Sequence, residues 1–349
     1  MTAHPQHAQF KTPITGQKAV NLALQGGGAH GAFTWGVLDR LLEEDQLIIE
    51  GITATSAGSI NAVVLAYGLA VGGREGAKHA LALFWRRMSA LMTSGIVQPS
   101  MLDKLSGNFG LDYSPGYHFI NMLCQFLSPY QLNPFNLNPL KDLIEEIVDF
   151  DCVRKQKAVK LFLCATNVRK CKVEVFHGKE LTADHVLASS CLQFLMHAVE
   201  IAGERYWDGG FIGNPPLFPL IYECEARDIV LVQVTPTERS DCPVSANSIL
   251  GRMQEVSVNS SLMREMRAVA FVNKLIDQGR MTGGKQILVH VIEAEDAIGE
   301  LPNSSRLNGG WDFLLHLYDI GRRRSEHWLA SNRSRLGVES SVDLQTKYL

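Results

Sequence analysis

Three short motifs hold the residues whose types and spacing could do chemistry. The first is Gly26-Gly27-Gly28-Ala29-His30-Gly31, which follows the apolar run 19–24. Glycines there let the chain turn sharply and aim several backbone N–H groups at one point. A helix starting just after them adds its partial positive end, so the loop holds an anion: a bound phosphate or a transient oxyanion. The second motif is Ala54-Thr55-Ser56-Ala57-Gly58, a serine with tiny neighbours where a strand passes into a helix. A nucleophile elbow needs that setting, because the hydroxyl must project beyond the sheet from a cramped turn. The third is Trp207-Asp208-Gly209-Gly210, followed by Asn214-Pro215-Pro216. An acid before two glycines sits on a tight turn and is able to point at a neighbouring side chain.

Each motif also has a plainer reading. The glycine run satisfies G-x-G-x-x-G, and Glu50 follows the next apolar run where a ribose-binding acid would stand in a dinucleotide site. Ser56 reads as a helix N-cap, and Asp208-Gly209 as an ordinary turn. The elbow behind the glycine loop decides against the dinucleotide.

The elements that must position these motifs follow from hydrophobic periodicity. Apolar runs at 19–24, 47–49, 51–55, 159–165, 173–176, 229–234 and 286–292 read as strands. Helical spacing falls between them at 31–45, 56–71, 76–92, 140–149, 183–195, 249–278 and 310–329. This alternation predicts an α/β fold with a mainly parallel central sheet covered by helices on both faces. One catalytic domain is expected over 18–330. A flexible segment, 1–17, precedes it and a polar tail, 331–349, follows. An insertion near 94–139 interleaves Gly, Pro, Ser and aromatics; it reads as a covering loop or as a lipid-facing lid.

Composition narrows the classes. The chain has 349 residues, 46% hydrophobic and 20% charged, with a formal net charge of −3. Nothing in that balance points to a nucleic-acid partner. The seven cysteines form no C-x-x-C pair, so no metal site is expected, and a reducing, cytoplasmic setting fits them. The N-terminus has no apolar core of a secretory signal. The longest apolar stretch, 57–73, is interrupted by Ser59, Asn61 and glycines, so no transmembrane segment is expected. The run Arg322-Arg323-Arg324 reads as a solvated helix end. The oligomeric state is open.

Taken in order, the three motifs resemble those of the patatin-like phospholipase family, in a bacterial branch. The resemblance spans about 21–295 and includes ATSAGSINAV, NPFNLNPL, LFLCATNV, HVLASSCL and AVEIAGERYWDGGFIGNPPL. It implies a three-layer fold related to the α/β-hydrolases and hydrolysis of lipid acyl esters without cofactor or metal, with a peripheral place at a membrane surface. It implies Ser56 as nucleophile and Asp208 as its dyad partner, with Gly26, Gly27 and Gly28 as oxyanion loop. Ala29, His30, Gly31, Ala54, Thr55, Ala57, Gly58, Gly209 and Gly210 support them. A dyad needs no histidine, so His290, His316 and His327 have no assigned part. Three positions depart from the family pattern. His30 stands where Arg or Lys is usual, Ala54 where the elbow has Gly, and Gln193 where members carry Pro. None removes a catalytic atom. Phospholipid, lysophospholipid and neutral acylglycerol are not ranked by these residues. The second functional reading is a catalytically weak lipid-binding or scaffold protein.

Overall fold

The apolar runs assemble into one eight-stranded sheet in a computed structural model that describes residues 16–107, 109–239 and 242–349. Its strands are β1 (Lys18–Leu24), β2 (Leu47–Thr55), β3 (Lys160–Asn167), β4 (Lys172–His177), β5 (Val199–Ile201), β6 (Glu204–Asp208), β7 (Asp228–Val232) and β8 (Leu288–Ile292). They lie in the order β5-β6-β3-β2-β1-β7-β8, with β4 also pairing β3. Strands β3, β2, β1, β7 and β8 are mutually parallel, while at one edge β4 and β6 pair antiparallel with β3, and β5 antiparallel with β6.

Alternation along the central strands builds the two helical layers. Leu22, Leu24, Leu161, Leu163, Val230 and Val232 enter one buried cluster with the Gly31–Leu41, Ala57–Thr93 and Trp311–Asn332 helices. Their neighbours Ala23, Phe162, Ile229 and Leu231 enter a second, with the Phe218–Glu223 and Ala246–Asp277 helices. Successive strand side chains point to opposite faces, so near-continuous apolar runs are what a sheet buried on both sides requires.

Several boundaries differ from expectation. The runs 47–49 and 51–55 are one strand, β2. Its register to β1 shifts so that Val20 pairs Ile49 and Asn21 pairs Gly51, leaving Glu50 as the extra residue of a bulge. The buried Glu50 carboxylate accepts from Lys160 Nζ at 3.0 Å and from the N–H groups of Glu225 and Ala226 at 2.7–3.0 Å. It is therefore committed inside the protein, which removes the ribose-binding reading. The helix expected over 183–195 stops at Ser189, and the chain turns back into β5 and β6. The two helices expected over 56–92 are Ala57–Thr93, bent at Gly72-Gly73, where Gly73 has φ +62°.

The 94–139 segment carries short helices, Met101–Ser106, Pro115–Phe126 and Pro129–Leu132. No residue of Pro115–Phe126 is buried. The chain end, expected as a polar tail, closes with a Leu344–Tyr348 helix whose Leu344 and Tyr348 pack into the second cluster. The Tyr348 hydroxyl donates to Gln233 Oε1 at 2.8 Å. Arg322 and Arg324 are not a free basic end, since Arg322 pairs with Asp39 and Glu43 and Arg324 with Asp296. The flexible segment expected at 1–17 lies almost wholly outside the described residues. Among those residues no helix is long and apolar enough to cross a membrane.

Candidate active site

The site lies at the carboxyl ends of β1 and β2, where an open parallel sheet presents its loops. Strand β2 ends at Thr55, and Ser56 follows with φ 56° and ψ −129°. A side chain in that conformation costs on the order of 1–3 kcal/mol and persists only when surrounding contacts hold it. Here the holding contacts are identifiable. Thr55 Oγ1 donates to the Gly213 carbonyl at 2.7 Å. The Ser56 N–H donates to both the carbonyl and the Oγ of Ser189, each at 3.1 Å. Ser189 Oγ donates to the Cys164 carbonyl at 2.6 Å and lies 2.7 Å from Ser59 Oγ. The Ser56 side chain makes no capping bond to its helix, so the N-cap reading fails. Its hydroxyl is instead close enough to the Asp208 carboxylate to act on it, drawing that carboxyl's pKa down.

Small neighbours make room for this turn. Gly58 lies where a Cβ would stand 2.4 Å from the Leu24 carbonyl, which seats the helix directly on β1. Ala54 is fully buried between Leu24 and Leu163, and its methyl belongs to the core. The departure from glycine there is accommodated without touching the serine.

Asp208 closes β6 opposite Ala165 of β3. Its N–H donates to the Cys191 carbonyl at 2.9 Å, and its carbonyl accepts from Thr166 Oγ1 at 2.8 Å. Its Oδ1 accepts from the Gly210 N–H at 2.7 Å, capping the turn Gly209–Phe211. The residue is buried, and burial pushes its carboxyl up to about 6, against the opposing pull of the nearby Ser56 hydroxyl and the Gly210 N–H. A base of that strength is far better matched to neutral pH than an ordinary aspartate.

The glycine loop passes directly over the serine. A Cβ on Gly26 would stand 2.5 Å from Ser56 Cβ, so no larger residue fits. The three glycines then diverge. Gly26 N–H donates to Asn214 Oδ1 at 2.7 Å, so this group braces the loop and is not free for a ligand. The N–H groups of Gly27 and Gly28 donate to no described residue, and Gly28 has φ +60°. Gln25 ties the loop down further, its Oε1 accepting from Val234 and Thr235 N–H at 3.0 Å.

A family model described as Patatin-like phospholipase matches residues 22–221, a span that contains all three motifs. The chain belongs to the patatin-like phospholipase family. It is thereby placed among lipid acyl hydrolases. No curated protein shows significant sequence similarity to it. Among solved structures it is similar to VipD from Legionella pneumophila, at 14% identity and a TM-score of 0.34, over 88% of this chain and 67% of that one. It is similar also to a chain of the structure of full-length ExoU with full-length SpcU, from the type III secretion system of Pseudomonas aeruginosa. That match has 14% identity and a TM-score of 0.34, over 92% of this chain and 53% of the other. The chain thus spans about half of the latter's length.

In this patatin-like chain His30 occupies the loop position where the family usually has a cation. It is buried, with Nε2 2.7 Å from Ser305 Oγ and its ring edge-on to Phe313. Burial first, then Arg306 and Arg239, hold the imidazole well below its ordinary value. His30 is therefore a neutral wedge, and positive charge reaches this side of the loop from Arg306. The late histidines stand apart from the dyad. His290 binds Asp228 at 2.9 Å in the core, and His316 packs on Phe109. Among the described residues no cluster of His, Cys, Asp or Glu has a metal-binding arrangement.

Sequence reasoning missed Ser189, Asn214 and Arg306. The first two lie in stretches already noticed, beside Cys191 and before Pro215. Nothing local marks them, because their partners are more than a hundred residues away.

Proposed function

We propose that this chain hydrolyses fatty-acyl esters of lipids through a Ser56–Asp208 dyad and an acyl-serine intermediate. The observation that carries this is Ser56, held in a strained turn under the glycine loop and close enough to act on a buried Asp208 whose carboxyl is pushed up to about 6. Asp208 takes the hydroxyl proton as Ser56 Oγ attacks the ester carbonyl. The oxyanion is received by the N–H groups of Gly27 and Gly28, which have no other partner among the described residues. The tetrahedral intermediate collapses, the C–O bond to the alcohol breaks, and Asp208 returns the proton to the departing alkoxide. Water then attacks the acyl-serine with Asp208 again as base, and the fatty acid leaves. No step calls for a histidine.

Residues 18–330 act as the catalytic domain in this reading, with the 94–139 insertion as a lipid-facing cap. A cavity of about 1300 Å³ is bounded in part by Tyr117, Asn121 and Cys124 of that insertion and by Phe194, Arg239 and Ser304; Ser56, Asp208 and the three glycines do not line it.

A fluorophosphonate probe tests the proposal. The folded chain should be labelled at Ser56, with labelling lost in Asp208→Asn. Absence of labelling on the folded wild-type chain would favour a lipid-binding or scaffold protein instead.

A further inference from the structure

A basic cluster beside the glycine loop has no part in the chemistry above. At its centre is Glu255, buried on the Ala246–Asp277 helix and facing three guanidinium groups. Arg239 grips both carboxylate oxygens, through Nη2 to Oε1 and through Nε to Oε2 at 3.2 Å. Arg252 Nη1 donates to Oε2 at 3.0 Å. Arg306 Nη2 stands 3.9 Å from Oε1, beyond hydrogen-bond reach. Arg239 and Arg252 complete their bonding on the carbonyls of Gly299 and Thr237. Arg306 donates to no described residue, although its side chain is only 22% exposed.

The remaining carboxylates nearby do not make up the balance. Glu295 accepts from Thr237 and Gln233, Asp296 pairs with Arg324, and Asp112 accepts from Ser304. Glu238 and Glu300 are exposed. Three cations therefore converge on one anion, and the most sheltered of them has five unused N–H donors. Burial, and then Arg239 beside it, hold the Arg306 guanidinium below its ordinary value. A desolvated cation in this state gains most from an oxyanion that accepts two donors at once.

Its location adds the second half of the case. The Arg306 carbonyl lies 2.5 Å from where a Cβ on Gly28 would be, so its backbone lines the glycine loop. Glu255, which it faces, is one helical turn before Val258, and Val258 is the side chain next to Gly210 in the turn after Asp208. The Arg306 backbone thus touches the loop that would hold the oxyanion, while its side chain turns to Glu255 on the helix that passes Gly210. In a glycerophospholipid the phosphate is only a few bonds from the ester that would be cut.

We propose that Arg306, backed by Arg239 and Arg252, is a phosphate subsite that reads the headgroup phosphodiester of a phospholipid whose ester lies at Ser56. This rests on the hydrolase reading and deepens it by naming the residues that would select a phospholipid over a neutral acylglycerol. Arg306, Arg239, Arg252 and Glu255 all lie beyond residues 22–221, so the preference is set outside the segment that the family model matches.

Binding to the Ser56→Ala chain tests it, with monomeric dihexanoylphosphatidylcholine, dihexanoylglycerol and inorganic phosphate as probes in calorimetric titrations. Adding Arg306→Gln should weaken the phospholipid at least tenfold and leave the diacylglycerol unchanged, while Arg306→Lys recovers part of the loss because it keeps the charge without the fork. Equal loss for both lipids, or no loss, overturns the subsite. So does inorganic phosphate that binds through Arg306 more tightly than the phospholipid, which would make the ligand a free anion. Should Arg306→Gln unfold, Arg306→Lys carries the test by the same comparison of the two lipids. Selective phospholipid binding by a wild-type chain that turns over no ester would leave the subsite standing and sink the hydrolase.

Discussion

The dyad region and the 94–139 insertion are built on opposite principles. Around Ser56 and Asp208 the small and polar groups are held by the sheet: Thr55, Ser189, Asn214 and Gly210 each have a defined partner. In the insertion the apolar side chains face outward. Met101 is 79% exposed, Phe126 79% and Phe135 84%. A few points pin the segment to the body, such as the buried Leu111, whose N–H donates to Ser304 Oγ, and Phe109, whose carbonyl accepts from Asn308 Nδ2 at 2.9 Å. The difference teaches where each kind of information is kept. Chemistry needs atoms fixed to fractions of an ångström, so it sits where strands end in a packed core. Contact with an amphiphilic substrate needs apolar area more than fixed geometry, so it sits on short helices at the rim.

The sharpest way to break this contrast is at the dyad. Ser56→Ala or Asp208→Asn should each lower turnover of a chromogenic acyl ester by about 10⁴-fold or more, with unchanged circular dichroism. Retained turnover by either purified variant would remove the dyad. Next comes the loop. A Cβ on Gly27 would stand 2.8 Å from Val234 Cγ2, so Gly27→Ala must move the loop and misplace its N–H. Turnover should fall by roughly 10²–10³-fold. A lowered melting temperature with intact turnover would contradict the oxyanion role.

Stability sharpens the comparison from the other side. The folded carboxyl of Asp208 lies near 6, above its unfolded value, so protons bind it more tightly in the folded state. Its contribution to stability is greatest below the unfolded value of about 4 and is lost as pH rises through about 6, a penalty of up to about 3 kcal/mol at neutral pH. Asp208→Asn should therefore melt higher than wild type at pH 7.5, with the gap closing towards pH 4, as followed by thermal denaturation. A site that is costly to fold is expected where function demands a base. The smallest effect belongs to the insertion. Phe126→Ser should change folding stability by no more than about 0.5 kcal/mol, yet reduce hydrolysis of vesicle lipid relative to a soluble ester. Equal rates on both substrates would show that the exposed ring does not meet lipid.

Much of the central fold was legible from periodicity. Strands buried on both faces are long apolar runs, and those at 19–24, 159–165, 229–234 and 286–292 could hardly be anything else once helices alternated with them. The edge strands Val199–Ile201 and Glu204–Asp208 were not legible, because a short antiparallel hairpin at a sheet margin carries polar residues and no strong alternation. Glu50 interrupted an apolar stretch and split one strand into two, since a charged residue in mid-strand looks like a break until its buried partners are known.

The sequence by itself determined the parts whose demands are local. A turn that passes 2.5 Å from its neighbour excludes every side chain, so Gly26 announces itself. A strained serine needs small flanks, so Ala57 and Gly58 announce Ser56. Only the tertiary structure decided what completes these parts. Gly26 and Asn214 are 188 residues apart, and Ser56 and Ser189 are 133 apart. It also separated Gly26, which braces the loop, from Gly27 and Gly28, whose N–H groups are free of described partners. It made His30 a neutral wedge and set Arg306 beside the loop. Hydrogen bonds and desolvation are properties of what surrounds a group, and for these residues the surroundings come from distant stretches of the chain.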